Sequence, residues 1–379
     1  MDFSLTEEQR AFQESAAQLA RTHLSAQQDG FSRERWRRCA DFGVQGWPLP
    51  EAFGGSAADV VTTMLGMEAL GYGGADQGLL FSLHAHMWAI EMPILAFGSD
   101  EQKQRFLPPL CDGRFVGAHA MSEPDSGTDA FALRTRAELR GDRYVLNGAK
   151  TFVTNAPVAD LVLVFATVNP KRGMWGITAF LVERDRPGLS IGSPFEKMGL
   201  SSPPMAEVAL ADCEVPVENR LGREGQGATL FNHSMGWERS CILASTVGAM
   251  QQQLETCIEY AKTRHQFRRP IGSFQLVASK IADMKLRLET SRLLLYRSAW
   301  SQAQGGMTAL EAAMVKLHIS EAAVQSALDA IQVHGGYGYM REYGMERALR
   351  DAVGGRLYSG TSEIQRVIIA RNLGLSVKD

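Results

Sequence analysis

The chain has 379 residues, 45% hydrophobic and 21% charged, the balance of a globular protein of two or three domains that needs no disulfide staples. With 39 Lys and Arg against 42 Asp and Glu, the net charge is −3 and no basic block stands out, which argues against nucleic acid as a main partner. The five cysteines, Cys39, Cys111, Cys213, Cys241 and Cys257, form no C-x-x-C pair and read as free thiols in a reducing cytoplasm.

Met1 to Gln9 is acidic and lacks a basic start and an apolar h-region, so no secretory leader is expected. Thr6, followed by Glu8 and Gln9, predicts a helix start, and Phe12, Ala16, Leu19 and Ala20 recur at helical spacing. Residues 57–97 read as helices, with Val60, Met64, Met67 and Leu70 on one face and a break at Gly71-Tyr72-Gly73-Gly74. Gln102 to Leu110 predicts one more. Near residue 115 the pattern changes to short β-like runs. Tyr144-Val145-Leu146 before Asn147-Gly148 predicts a hairpin turn, and Leu161–Thr167 and Ile177–Val182 predict buried strands. The run from Leu161 to Thr167 is far short of the ~20 apolar residues of a membrane helix, so no membrane is expected as a partner. From Gly227 onward, segments 227–265, 275–303, 308–334 and 361–373 have helical length and periodicity, and four such helices form a bundle. The order predicts an α+β chain with a helical domain over 1–114, a β domain over 115–220 and a helical bundle over 221–379.

Five stretches carry candidate chemistry. Met121-Ser122-Glu123-Pro124-Asp125-Ser126-Gly127-Thr128-Asp129 can aim hydroxyls and N–H groups at a polar ligand, or form an ordinary surface turn. In Lys150-Thr151-Phe152-Val153-Thr154-Asn155, strand alternation puts Phe152 and Thr154 on one face, where a planar cofactor could rest; a plain half-buried strand explains the string equally well. Arg264 to Ile271 offers either arginines for a pyrophosphate or charges complementing a helix C-terminus. Gln332-Val333-His334-Gly335-Gly336-Tyr337-Gly338 permits close backbone approach, or caps a helix. Finally, Met235, Glu238, Cys241 and Ile242 share one helix face, so Glu238 would be a desolvated carboxylate with a raised pKa, suited to act as a general base, or else an ion-pair partner of Arg239. His84 and His86 lack the neighbours that would complete a metal site, and none is expected.

Together and in this order, these stretches resemble the acyl-CoA dehydrogenase family over nearly the whole chain. The resemblance implies an N-terminal α domain, a middle β-barrel, a C-terminal four-helix bundle, FAD and a homotetramer. It implies that Met121, Ser122, Gly127 and Thr128 belong to the flavin loop, with Phe152 against the ring and the Thr154 hydroxyl near N5. Arg264, Gln266, Phe267, Phe274 and Gln275 match the arm that reaches the FAD of a neighbouring subunit; Gln332, Val333, Gly335, Gly336, Thr361 and Glu363 match motifs that complete the site. Thr128 and Arg239 match positions near the pantetheine arm, while Leu80, Met87 and Val353 to Tyr358 would shape the acyl pocket. Most of the family reads Tyr-Glu-Gly-Thr, with Glu the base, where this chain has Tyr358-Ser359-Gly360-Thr361. A minority branch, including isovaleryl-type enzymes, carries the base at the position of Glu238, which implies that role for it here. The backbone N–H of Ser359, beside Gly360, would still donate to the thioester oxygen.

The strings Ser234 to Arg239, Tyr358 to Ser362 and Asn155-Ala156-Pro157 look similar to dehydrogenases of prolyl groups tethered to peptidyl carrier proteins. That implies α,β-dehydrogenation of a carrier-bound prolyl thioester, with a second oxidation needed to reach pyrrole and an electron-transfer flavoprotein or oxygen as acceptor. A branched- or short-chain acyl-CoA dehydrogenase, and a catalytically silent flavin-binding or assembly protein, stand as alternatives.

Overall fold

The computed structural model describes residues 4–25, 30–306 and 308–377; Met1 to Phe3 of the N-terminal segment read above lie outside them. The first part is helical: α1 (Glu7–Leu19), α2 (Arg33–Asp41), α3 (Val60–Tyr72), α4 (Gln77–His86), α5 (Met92–Phe97) and α6 (Asp100–Cys111). Thr6 caps α1 as its sequence predicts: its hydroxyl accepts from Gln9 N at 3.1 Å while Gln9 Oε1 accepts from Thr6 N at 3.2 Å. No helix is predicted at the short, charge-rich α2, whose inner face is only Trp36 and Cys39, both fully buried, with Arg35 beside them. A π-helical turn, Met87–Glu91, fuses α4 and α5 into a 21-residue helical stretch, Gln77–Phe97, long and apolar enough to span a bilayer. Counting unbroken apolar residues missed it because His84, His86 and Glu91 interrupt the run. Here it is a core helix, with 83% of its most apolar window buried inside the fold.

The middle part is an eight-stranded sheet of β1 (Gly117–Ala120), β2 (Arg136–Arg140), β3 (Arg143–Thr154), β4 (Leu161–Thr167), β5 (Ile177–Glu183), β6 (Leu189–Ile191), β7 (Met205–Pro216) and β8 (Arg220–Leu221). The order is β6-β7-β3-β2-β4-β5-β8, with β1 parallel to β4. Leu161, Leu163 and Phe165 of β4 join the core shared with the helices, while Val162, Val164 and Ala166 join a second core with Tyr144, Leu146 and Phe180 on the sheet's inner face. Burial on both faces is why β4 reads as an unbroken apolar run. The sheet curls around that inner core, but among the described residues no strand pair joins β6 to β8, so hydrogen bonding does not close a barrel. The turn predicted at Asn147-Gly148 is not one. These residues lie inside β3 at a bulge, and the hairpin turns at Gly141-Asp142, where Gly141 has φ +64°.

The last part comprises α7 (Gly227–Cys241), α8 (Ala244–Thr263), a small hairpin of β9 (His265–Gln266) and β10 (Arg269–Pro270), then α9 (Gln275–Ala303), α10 (Ala309–His334), α11 (Met345–Gly354) and α12 (Ser362–Asn372). The single helix expected over 227–265 is thus two, broken at Ile242-Leu243. Helix α8 lies tightly on α3. A Cβ on Gly71 would sit 1.9 Å from Ser245 O, and one on Gly248 1.9 Å from Glu68 O, so Gly71 serves helix packing as well as standing near a helix end.

Asn155 ties the first part to the sheet. It is fully buried in a left-handed conformation (φ +68°), donates from Nδ2 to Ser82 O and Gly117 O, both at 3.2 Å, and accepts from Ser82 Oγ at 2.6 Å. Asn155→Ala strains the left-handed backbone and strips three buried partners. It is expected to cost about 2–4 kcal/mol in urea denaturation, and Asn155→Gly, which relieves the strain alone, less. Equal losses would remove backbone strain from the explanation.

Candidate active site

The buried face of α7 forms as its spacing predicts. Met235, Glu238, Cys241 and Ile242 are all buried, with Glu238 only 7% exposed. Beside it, Trp237 stacks on Trp88 of the π-helical turn, with ring centroids 5.7 Å apart and planes 4° from parallel. Burial pushes the Glu238 carboxyl up to about 7, against the smaller opposing effects of a hydrogen bond from Ser359 and the charge of Arg239. Arg239 is not its ion-pair partner. Arg239 Nε donates instead to the carbonyl of Ser359 at 3.1 Å.

The segment Tyr358-Ser359-Gly360 closes over this face. Ser359 Oγ donates to Glu238 Oε2 at 2.5 Å. Gln365 Nε2 donates to the carbonyls of Ser359 (3.2 Å) and Gly360 (2.9 Å), and Lys316 Nζ reaches Gly360 O at 2.6 Å. Lys316 is buried, and burial together with the Arg239 charge brings its ammonium down to about 7. The Tyr358 ring packs against Phe81 at 4.5 Å. Both line a cavity of about 350 Å³ together with Leu200, Leu243 and Gly355, and with Asp351, whose carboxyl burial raises to about 6. Of the expected pocket residues, Gly355 and Tyr358 line this cavity. Leu80 and Met87 are sealed in the core and do not, because both point from the α4 stretch into interior packing.

A second cluster lies at the start of the sheet. Buried Lys150 donates from Nζ to Glu123 Oε1 (2.8 Å) and Met121 O (3.0 Å), and Glu123 also accepts from the N–H groups of Arg134 (2.6 Å) and Thr135 (2.9 Å). This ion pair fixes the loop after β1 against β3, and Thr151 N donates to Ser122 O at 2.9 Å. The loop and the Phe152 segment are therefore neighbours. The role of Lys150 and Glu123 escaped the sequence reading; a lysine on a strand whose neighbours are buried was the available signal. Simple alternation fails at Phe152. The pairing of β3 with β7 slips between Lys150 and Val153, and Phe152 takes φ +55°. This bulge turns its side chain outward, 66% exposed, while Thr154 stays half-buried with no hydrogen-bond partner for its hydroxyl among the described residues. Met121 is buried and Ser122 half-buried, whereas Gly127 and Thr128 are exposed on the loop. His119, on β1, is half-buried, stacks on Phe231 of α7, and keeps its buried Nε2 without a partner among the described residues.

The arm after α8 is exposed. Phe267 (φ +50°) and Arg268 (φ +65°) make the turn between β9 and β10, and Phe267 is 86% exposed. Arg269 lies over the Phe274 ring at 4.0 Å, and Gln275 begins α9. Arg264 and Gln266 line one cleft of about 550 Å³ with Val333, Gly335 and Gly336, at whose edge α10 ends with Gly335 as its cap (φ +60°). Gln332 is exposed on the last turn of α10. Thr361 caps α12, accepting from Ile364 N at 3.4 Å, and Glu363 sits in its first turn. His84 and His86 are core residues: His84 bonds Ser245 and Trp88, and His86 Nδ1 accepts from Gly117 N. Among the described residues, no group of three His, Cys, Asp or Glu could hold a metal.

Comparison with known proteins matches residues 6–114 to the acyl-CoA dehydrogenase N-terminal domain, 118–213 to its middle domain and 225–374 to its C-terminal domain. The chain belongs to the acyl-CoA dehydrogenase family. It is 43% identical to an L-prolyl-[peptidyl-carrier protein] dehydrogenase of Pseudomonas fluorescens, over 99% of this chain and 100% of the relative. Among solved structures, the prolyl acyl carrier protein oxidase AnaB superposes with a TM-score of 0.97 at 47% identity, covering 98% of this chain and 100% of that one. PigA with FAD and proline gives 0.97 at 43% identity, covering all of both chains.

For an acyl-CoA dehydrogenase cofactor, the residues present fit. An exposed aromatic face at Phe152, a free hydroxyl at Thr154 and a loop held by Lys150 suit a flat ring with a polar edge. The raised Glu238 carboxyl also has a consequence for stability. Because its folded value lies above the ordinary 4.5, the fold favours protonated Glu238; that favour is complete below about pH 4.5 and is lost as pH rises through about 7. Glu238→Gln is expected to match the parent in urea denaturation near pH 4.5 and to exceed it by about 3 kcal/mol above pH 8. Parallel pH profiles would contradict a desolvated carboxylate.

Proposed function

We propose that this protein is an FAD-dependent acyl-thioester dehydrogenase acting on a prolyl group tethered to a carrier protein. The observation that carries the reading is the buried, uncharged-leaning Glu238 facing Ser359, in a chain whose full length follows the carrier-protein prolyl dehydrogenases and oxidase. FAD, when bound, supplies the acceptor for the β-hydride. Glu238 takes the α-proton, its desolvation making the carboxylate a stronger base at neutral pH. The Ser359 N–H donates to the thioester oxygen, where negative charge develops as the proton leaves. Gly360 leaves room at the turn, and Arg239 and Thr128 hold the tethering arm. With FAD bound as hydride acceptor the balance would close: the α-proton to Glu238 and the hydride lost from the β-carbon would leave a carbon–carbon double bond.

In the same reading, Met121, Ser122, Gly127, Thr128, Phe152 and Thr154 hold the flavin end. Arg264, Gln266, Phe267, Phe274 and Gln275 reach the pyrophosphate and adenine side of a neighbouring subunit's cofactor, and Gln332, Val333, Gly335, Gly336, Thr361 and Glu363 complete the cofactor site. The exposed arm at Phe267, together with exposed Leu276, Leu286 and Trp300 on α9, supports a homotetramer. The proposed division remains 1–114, 115–220 and 221–379, with a barrel-like middle domain, in a cytoplasmic enzyme reoxidised by an electron-transfer flavoprotein or oxygen.

Anaerobic addition of prolyl-carrier thioester is expected to bleach the ~450 nm flavin band of the holoenzyme. Glu238→Gln is expected to slow that reduction at least about 1,000-fold while retaining the yellow colour. A yellow parent enzyme bleached only by branched acyl-CoA thioesters would transfer the activity to the acyl-CoA reading; parent-like reduction by the variant would remove Glu238 as base.

A further inference from the structure

Ser359 stands where most of the family holds its base, and its side chain is not idle. We infer that Ser359 is a positioning residue that orients the Glu238 carboxylate and sets its proton affinity. The inference rests on the reading of Glu238 as base.

Three observations support it. First, the contact is direct: Ser359 Oγ donates to Glu238 Oε2 at 2.5 Å across the turn. It engages one carboxylate oxygen, and no hydrogen bond to Oε1 is found among the described residues, which leaves that oxygen for the substrate proton. Second, Ser359 is held in place. Its backbone is left-handed (φ +53°), a conformation unfavourable for a non-glycine residue. The strained turn is held by Arg239 from α7, Lys316 from α10 and Gln365 from α12, which together hydrogen-bond the two carbonyls of Ser359 and Gly360. Third, a hydroxyl can serve both protonation states, donating to the carboxylate and still donating to the carbonyl oxygen of the acid once the proton is on Oε1. The titratable groups around Glu238 are Arg239 on its own helix, Lys316 on α10, and Tyr358 in the adjoining turn, with Asp351 of α11 beyond Tyr358. Lys316 titrates near the same pH, so activity alone would not separate it from Glu238.

The test follows the carboxyl itself. In the FAD-loaded enzyme, the infrared band of protonated Glu238 is assigned by its absence in Glu238→Gln and titrated in the parent and in Ser359→Gly, a substitution that removes the hydroxyl and relieves the left-handed strain. Loss of the donor is expected to move the midpoint up by about one pH unit, as for a lost hydrogen bond to a charged group. The acid limb of kcat on the prolyl-carrier thioester should move with it, with KM nearly unchanged. An unmoved or lowered midpoint overturns the inference. If Glu238→Gln instead keeps parent-like turnover, the base assignment fails, whatever the midpoint does.

Discussion

A carboxylate buried under a hydroxyl organises this structure. Glu238 sits on the inner face of α7, and Ser359 reaches it from the turn before α12 at 2.5 Å. Burying a charge is costly unless it is bonded, and the fold meets the cost in part, with one short hydrogen bond and a cation that is turned away to a carbonyl. What remains is a carboxyl held near neutrality, able to exchange a proton at physiological pH. Helices α7, α10 and α12 each supply a side chain to the turn that carries Ser359, so the packing of the C-terminal helices is also the alignment of the site.

The sheet performs the complementary task. Both faces of β4 are covered, one by helices and one by the sheet's own inner core, so the strand is a rigid wall between the two parts. Asn155 then fixes the end of β3 to α4 and β1, and the Lys150–Glu123 pair fixes the loop after β1. Between these two anchors the chain bulges, and Phe152 turns outward. An exposed aromatic in a strained conformation is held there by well-bonded neighbours on both sides, the usual pattern at a ligand face.

Much of this was legible in the residues. The periodicity of 275–303 and 308–334 and the apolar run of β4 marked the elements that bury most surface, because tertiary packing there agrees with local preference. The misses have local causes. Asn147-Gly148 has turn chemistry, yet its strand has a partner on each side and absorbs it as a bulge. The break at Ile242-Leu243 has neither glycine nor proline to mark it. At the site, the helical spacing around Glu238 and the departure at Ser359 were both visible. That they touch was not, because 121 residues of chain separate them and only the fold closes the distance. The family resemblance supplied Glu238 with a role that its local pattern left open.

The most direct test of the account is exchange at the substrate's α-carbon. With the flavin chemically reduced, hydride transfer is blocked and only proton removal remains. The holoenzyme in D₂O should then exchange the α-proton of a prolyl-carrier thioester, read by mass spectrometry of the recovered prolyl group, and Glu238→Gln should not. Exchange at the parent rate in the variant would contradict the assignment of Glu238 as the base.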